Sequence, residues 1–219
     1  MPEINYIPYE TAEDLNKFLY DNYYSTENLI PTTTATGYLR SNIFELSQET
    51  GITQNSISMI NYNLPYFNPI YSEAVWKCYL NSMDDCFAFF GFKETLAEPT
   101  YNMIESHAGF MINAGKLYAS VADGFTQQKV EIIGIDATRV QEYKIEYNKF
   151  FIKPLPVVEE ALGLPEIFSV ERVWKMITAL TNFSPINQVH YIVQYIKNFV
   201  GADKIIKFNR FIYREVYAD

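Results

Sequence analysis

Alternation of apolar and polar positions is clearest in the middle of the chain, between residues 109 and 155. In the run from residue 143 to residue 148, one parity holds Tyr143, Ile145 and Tyr147, and the other holds Lys144, Glu146 and Asn148. This period of two predicts a strand with one buried face and one wet face. Residues 117–121 and 130–135 also have strand character, and the turn signal Ala122-Asp123-Gly124 separates them. Short connections between the three runs predict an antiparallel meander over about residues 110–153.

Helical spacing of apolar residues dominates on both sides of this block. It predicts helices near residues 11–22, 42–51, 54–61, 72–90, 101–106, 169–180 and 184–200. Residues 205–217 fit either period, and their β-branched and aromatic side chains favour a strand. The predicted fold class is therefore α+β, with a central antiparallel β meander flanked by N-terminal and C-terminal helical segments.

Three segments follow from this pattern. Residues 1–9 are predicted to be an extended arm, because prolines at positions 2 and 8 bracket a short apolar stretch. Residues 10–108 form a mainly helical segment, and residues 109–219 hold the meander and the C-terminal helices. The last two segments are compatible with one continuous domain.

Composition limits the classes of function. The 219 residues carry a net charge of −9, which disfavours a general nucleic-acid binder or a protein of anionic membrane surfaces. No positively charged and then apolar leader follows Met1, so synthesis in the cytoplasm without a signal peptide is expected. The 18 Tyr and 16 Phe indicate either contact surfaces or a compositional bias, and both interpretations stay open. Cys78 and Cys86 are expected to be reduced and buried.

Residues with catalytic chemistry are few and do not form a recognised motif. Glu105, Ser106 and His107 are neighbours in sequence, but triad members usually come from distant segments. His107 and His190 together with the two cysteines match no zinc-ligand spacing. The acidic pairs at 84–85 and 159–160 fit solvated surfaces better than a glycosidase site. We therefore predict a protein that is not an enzyme and that has no cofactor and no metal.

One segment allows a DNA-binding alternative. Residues 46–60 resemble a helix-turn-helix, with Gly51 at the turn and Gln54, Asn55 and Ser56 leading the second helix. Amide side chains in those positions are able to pair with adenine. Against this alternative, Arg40 is the single cation between residues 38 and 66, so little would hold the phosphates.

The extended arm (residues 2–9), the mixed helix-and-hairpin plan and the acidic composition together give a general character. In this character the chain resembles virion proteins of tailed bacteriophages, above all the neck or head-to-tail connector proteins that stack as rings between portal and tail. The resemblance implies a non-catalytic, homo-oligomeric ring in the virion with a passage for DNA. Its partners would be copies of itself and portal or tail components, with at most passive contact with packaged DNA and none with a membrane.

The arm supplies the predicted partner-binding residues, which are Ile4, Tyr6, Ile7 and Tyr9. Extended segments with alternating apolar residues are able to add to the sheet edge of a neighbour, and tyrosine is a frequent hot-spot residue. A helix-turn-helix DNA-binding regulator that uses residues 42–61 is the first alternative function, and an enzyme with an unrecognised site is the second.

Overall fold

The computed structural model of the chain describes residues 6–9, 38–41, 46–67, 72–154, 174–181 and 190–215. These residues form strands and turns, with no α-helix among them. In chain order the strands are β1 (Tyr6–Tyr9), β2 (Tyr38–Ser41), β3 (Leu46–Glu49), β4 (Ile57–Phe67), β5 (Ser72–Leu80), β6 (Cys86–Lys93), β7 (His107–Asn113), β8 (Lys116–Ala122), β9 (Gln127–Glu131), β10 (Gln141–Glu146), β11 (Lys149–Pro154), β12 (Lys175–Ala179), β13 (His190–Asn198) and β14 (Ile205–Glu215). Accordingly, none of the described segments supplies a helix that could cross a membrane.

The strands build two antiparallel sheets. The eight-stranded sheet has the order β12-β11-β10-β5-β14-β3-β2, and β1 also pairs with β14. The six-stranded sheet has the order β4-β13-β6-β7-β8-β9. Each sheet combines strands that are distant in sequence, since β14 lies between β5 and β3, and β13 lies between β4 and β6.

An aromatic cluster fills the space between the sheets. Phe90 and Phe110 of the six-stranded sheet stack with their ring centroids 5.4 Å apart. The eight-stranded sheet contributes Trp76, Tyr143 and Phe150, whose rings meet this pair at centroid distances of 5.0–5.7 Å. All five side chains are fully buried, so the two inner faces form the main hydrophobic core of a β-sandwich.

The six-stranded sheet is also covered on its outer face. The connection between β6 and β7, residues 94–106, crosses this face and buries Met103 against it. A second apolar cluster lies beneath the crossing, made of Ile57, Met59, Phe87, Phe89, Met103, Met111, Val193 and Tyr195. The central strands of this sheet are therefore buried on both sides.

The α+β prediction is wrong, because the described part of the chain is an all-β sandwich. All eight residues of β6 are buried, as are seven of the nine residues of β13. A strand that is buried on both faces loses the period of two and looks like a continuous apolar run. The predicted helices at 42–51, 54–61, 72–90 and 184–200 are strands with turns wherever they are described.

The other helix predictions are also not confirmed where the structure describes the chain, and some of them concern residues outside the described ranges. Residues 101–106 belong to the connection over the six-stranded sheet, and Lys175–Ala179 form a strand. The predicted helix at 11–22 and most of the one at 169–180 lie outside the described residues. The strand predicted for the C-terminal run is confirmed as Ile205–Glu215.

The central block does form five consecutive strands, but they do not make one meander. Strands β7, β8 and β9 belong to the six-stranded sheet, whereas β10 and β11 belong to the other sheet, with β10 beside β5. The predicted facing is confirmed for Tyr143 and Ile145, which are fully buried. Tyr147 instead occupies the hairpin turn with φ of 54° and packs against the core only in part.

Candidate functional site

An open cleft of about 490 Å³ lies at the end of the six-stranded sheet where β8 begins and β9 ends. Its floor contains Leu117 and Ile132, which are almost completely buried, with Met83 and Ile135 beside them. Ile133 forms part of the rim and is 85% exposed. This volume falls within the roughly 300–1,000 Å³ of small-molecule clefts, so the cleft is large enough for a small organic ligand.

Charged groups line the walls above this apolar floor. Lys116 donates to Glu131 across the β8–β9 pair at 2.8 Å, and this contact raises the pKa of Lys116. On the other side, Asp136 accepts from both the backbone N–H and the hydroxyl of Thr138, at 2.9 and 2.6 Å. The hydroxyl contact is the main reason that the pKa of Asp136 is lowered. The cleft therefore offers one ammonium and two carboxylates around an apolar base.

Two tyrosines stand beside the cleft on the outer face of the sheet. Tyr118 is the register partner of Glu131, and its ring meets the ring of Tyr101 edge-on at 5.5 Å. Partial burial, together with a hydrogen bond to Tyr101, raises the pKa of Tyr118 to about 12. Lys129 places its ammonium 3.3 Å from the centroid of the Tyr101 ring and donates to Asn102 Oδ1 at 2.9 Å. Aromatic, amide and charged groups thus continue from the cleft along β8 and β9.

Both histidines are buried away from this cleft. His107 Nδ1 lies 2.7 Å from the carbonyl oxygen of Glu105, and its Nε2 lies 2.8 Å from Ser120 Oγ. His190 Nε2 lies 3.0 Å from Ser106 Oγ, and both of these residues are fully buried. Burial lowers the pKa of each histidine to about 4. The Ser106–His190 pair has the contact of a nucleophile and a base, but a substrate has no access to it.

The residues of the helix-turn-helix alternative form a loop between β3 and β4. Gln54 is exposed and donates to the carbonyl oxygen of Phe199 at 2.9 Å, while Asn55 has φ of 61°. Ser56 is buried and accepts from Asn198 Nδ2 at 2.7 Å. Because strands flank this loop on both sides, it provides no recognition helix, and the DNA-binding alternative is wrong.

The predicted partner-binding arm lies along its own chain. Tyr6, Ile7 and Tyr9 belong to β1, which pairs antiparallel with residues 211–214 of β14. Ile4 lies outside the described residues, as does the acidic pair at 159–160. Asp84 and Asp85 are exposed in the turn between β5 and β6. Cys78 and Cys86 are buried free thiols, and burial raises the pKa of both.

No sequence signal had marked the cleft as a site. The sequence predicted a strand over 130–135, whereas β9 ends at Glu131 and the following residues form the cleft wall. The run Asp136-Ala137-Thr138 was expected to end that strand, but it lies beyond the end of β9 in a loop, where the carboxylate of Asp136 caps a turn. The carboxylate of Glu131 reaches the cleft only because β8 and β9 pair in this register.

Solved structures share this fold with very low sequence identity. The exoplasmic/lumenal domain of VIP36 in a Ca²⁺- and mannose-bound form has a TM-score of 0.57 and 8% identity, covering 84% of this chain and 83% of that chain. The carbohydrate recognition domain of Emp46p in a potassium-bound form has a TM-score of 0.52 and 6% identity, covering 90% and 94%. A structure described with endo-acting O-glycanases of the human gut microbiota has a TM-score of 0.50 and 8% identity, covering 80% of each chain. No protein-family model and no curated protein sequence matches the chain.

These comparisons identify the fold as a lectin-like β-sandwich. The resemblance to phage neck or connector proteins is wrong, because it depended on a mixed helix-and-hairpin plan that the described chain does not have. The predictions that depended on this resemblance are therefore also wrong. They were a ring-forming virion subunit, portal or tail partners, and a location in a virion. Aromatic and acidic composition had suggested an assembly protein, but composition does not distinguish such a protein from a two-layered sandwich with a second apolar cluster.

The metal ions of these neighbours have no counterpart among the described residues. VIP36 is described with Ca²⁺ and Emp46p with potassium. In the described ranges of this chain, no three His, Cys, Asp or Glu side chains come together in a way that could hold a metal ion. The group of several carboxylates that Ca²⁺ sites commonly contain is thus not assembled among the described residues.

Proposed function

We propose that this protein is a non-catalytic carbohydrate-binding module, and that the cleft beside β8 and β9 holds the sugar. The observation that carries the proposal is the combination of a lectin-like sandwich with an open cleft that has an apolar floor and charged walls. Solved structures of the same fold include one with bound mannose and one named as a carbohydrate recognition domain.

The surface chemistry of a sugar matches this cleft. A pyranose ring has a C–H face, which suits the accessible apolar side chains of Ile133 and Ile135 in the cleft lining, and a hydroxyl edge, which needs fixed donors and acceptors. Glu131 and Asp136 offer carboxylate oxygens as acceptors, and Lys116 offers a donor. The polar groups beside Tyr101 and Tyr118 would contact further sugar residues of an oligosaccharide.

The same groups favour binding without catalysis. Glycoside hydrolysis needs one carboxyl group that is protonated near neutral pH, which requires a raised pKa. The pKa of Asp136 is lowered instead, mainly by the hydroxyl of Thr138. Glu131 is held by the ammonium of Lys116 at 2.8 Å. Both carboxylates therefore suit the role of fixed hydrogen-bond acceptors.

The proposal is tested by screening the protein against a glycan array and measuring the affinity for the best glycan by titration calorimetry. Glu131→Gln should weaken binding roughly 10–100-fold, because it removes a charge-assisted hydrogen bond of about 1.5–3 kcal/mol. Glu142→Gln is the matched control, since Glu142 is also paired with a lysine, Lys153 at 3.4 Å, but on the other sheet. The control should bind as the wild type does.

Three outcomes would contradict the proposal. If no glycan binds, the chain is not a carbohydrate-binding module. If the two glutamine variants lose affinity equally, the sugar does not occupy this cleft. Incubation with mucin-type O-glycans followed by mass spectrometry completes the test, because release of shorter glycans would show that the protein is an enzyme.

A further inference from the structure

Lys93 is unusual among the charged side chains because it is completely buried at the start of the connection over the six-stranded sheet. Its ammonium donates to Thr95 Oγ1 at 2.7 Å, to the Thr95 carbonyl oxygen at 3.3 Å, and to the carboxylate of Glu105. A buried charge without partners would be very costly, and here one carboxylate, one hydroxyl and one carbonyl surround it. We call these three oxygen atoms the oxygen cage.

Within the oxygen cage, the hydroxyl of Thr95 uses all of its hydrogen-bonding positions. The hydroxyl of Thr95 accepts from Lys93 and from the backbone N–H of Ala97, and it donates to Glu105 at 2.9 Å. A hydroxyl group has two acceptor positions and one donor, so its capacity is used completely. The backbone N–H of Glu94 donates to the carbonyl oxygen of Ser106 at 2.9 Å and closes the base of the connection.

The closed connection carries groups of the candidate site. Its middle part holds Tyr101 and Asn102, both bound by Lys129, while Glu98 accepts from Tyr195 and from Lys197 on β13. These contacts fix residues 94–106 along their length, and the oxygen cage fixes their two ends to each other. A substitution in the oxygen cage should therefore also alter the positions of Tyr101 and Asn102 on the surface beside the cleft.

We propose that the oxygen cage is a cation site that the chain fills with its own Lys93 ammonium, so that the connection needs no metal ion to be held in place. Carboxylate, hydroxyl and carbonyl oxygens are the ligands that hard cations prefer. An ammonium tethered at this point supplies the same charge, and it is present in every folded molecule. In this respect the connection differs from a loop that a bound metal orders.

The proposal predicts that a free monovalent cation is able to replace the missing ammonium. Lys93→Ala should lower the midpoint of thermal unfolding by roughly 3–10 °C, because Thr95 and the 40% exposed side chain of Glu105 lose the buried ammonium that they bind. Unfolding is then followed in potassium, ammonium and tetramethylammonium chloride at equal ionic strength. Potassium and ammonium should restore part of the lost midpoint, whereas tetramethylammonium is too large to enter and should restore none.

Matched variants separate the oxygen cage from a general salt effect. Lys116→Ala removes an exposed lysine with a carboxylate partner and should unfold at the same temperature in all three salts. Adding Thr95→Val to Lys93→Ala removes one ligand and should abolish the restoration. Equal midpoints of Lys93→Ala in the three salts would overturn the proposal.

Two further measurements cover the remaining cases. If Lys93→Ala does not fold, Glu105→Gln keeps the shape of the oxygen cage and removes its charge. Faster hydrogen exchange of the amides in 94–106 would then support the proposal, and unchanged exchange and unfolding would refute it. In the wild type, a midpoint that rises with Ca²⁺ and falls with a chelator would also refute it. Because every readout is unfolding or exchange, the result does not depend on whether the protein binds a glycan.

Discussion

Acidification below neutral pH should destabilise this protein through its two histidines. His107 and His190 are the only histidines in the sequence, and both are fully buried. Desolvation is the main reason that the pKa of each falls to about 4, and Lys93 lowers the pKa of His107 further. The geometry agrees, because neutral His107 donates from Nδ1 to the Glu105 carbonyl and accepts at Nε2 from the Ser120 hydroxyl. A proton on Nε2 would remove that acceptor.

The sign and the size of the effect follow from linkage. A histidine whose pKa is about 6.5 when unfolded and about 4 when folded binds more protons in the unfolded state between these values. The stability is therefore complete above pH 6.5, falls as the pH falls toward 4, and changes no further below that. At about pH 5 the loss is about 2 kcal/mol for each histidine, or about 4 kcal/mol together. This is a large part of a typical stability of about 5–15 kcal/mol.

Carboxylates act in a lower pH window and should not obscure the effect. The pKa values of Glu105, Asp123 and Asp136 are lowered in the folded state. Their contributions are present above the ordinary carboxyl pKa and are lost only as the pH falls through the lowered values. The interval from about pH 7.5 to pH 5 therefore reports chiefly on the histidines.

The assay is urea unfolding at half-unit pH steps across this interval, followed by circular dichroism. The double variant His107→Gln/His190→Gln has no histidine and should show a nearly constant free energy of unfolding. NMR titration of the folded wild type should give imidazole pKa values near 4. Equal pH dependence of the double variant and the wild type, or a wild-type stability that is flat to pH 5, would refute the reasoning.

Four substitutions test the packing of the sandwich by urea unfolding. Gly91→Ala should cost more than about 3 kcal/mol or prevent folding, since its Cβ would lie 2.3 Å from the carbonyl oxygen of Ala108; near-wild-type stability would contradict this register. Ile145→Asp should cost about 4 kcal/mol or more, because it places an unpaired charge in the core, and a small effect would mean that the site is solvated. Ala114→Asn should stabilise by about 0.5–1 kcal/mol, since Ala114 is exposed with φ of 50°, which asparagine tolerates better; a loss of stability would contradict this. Tyr143→Phe should be neutral or stabilising by about 1 kcal/mol, because within the described structure the buried hydroxyl has no hydrogen-bond partner, and a clear loss would reveal one.

The sequence identifies strands well where one face is wet. Strand β10 alternates between fully buried and partly exposed residues, and its period of two predicts both the strand and the burial of Tyr143 and Ile145. The sequence does not identify strands β6 and β13, for the opposite reason. Both faces of these strands are buried, so the alternation that distinguishes a strand from a helix is absent.

The candidate site is harder to predict because it depends on pairings between distant segments. In the oxygen cage, Lys93 and Glu105 form an ion pair from the two ends of the connection 94–106. The path of this connection cannot be inferred from local propensity. The pairing of Lys116 with Glu131 needs the register of β8 and β9. By contrast, the turn at Asp123 is predictable, because an aspartate before glycine caps its own loop, and its carboxylate accepts from the N–H groups of Phe125 and Thr126.

The position of the cleft follows from how burial changes across the six-stranded sheet. Strand β6 is buried throughout, β7 is exposed in part only at Asn113, β8 alternates near its start, and β9 has no buried residue. The second apolar cluster therefore covers the centre of the outer face and ends before the β9 edge. Where this cover ends, the sheet edge exposes the Lys116–Glu131 pair beside the apolar side chain of Ile133 in the cleft lining. The proposed ligand would therefore bind where the strands of the six-stranded sheet change from buried to exposed, and that change is visible in the sequence as the passage from CFAFFGFK to QQKVE.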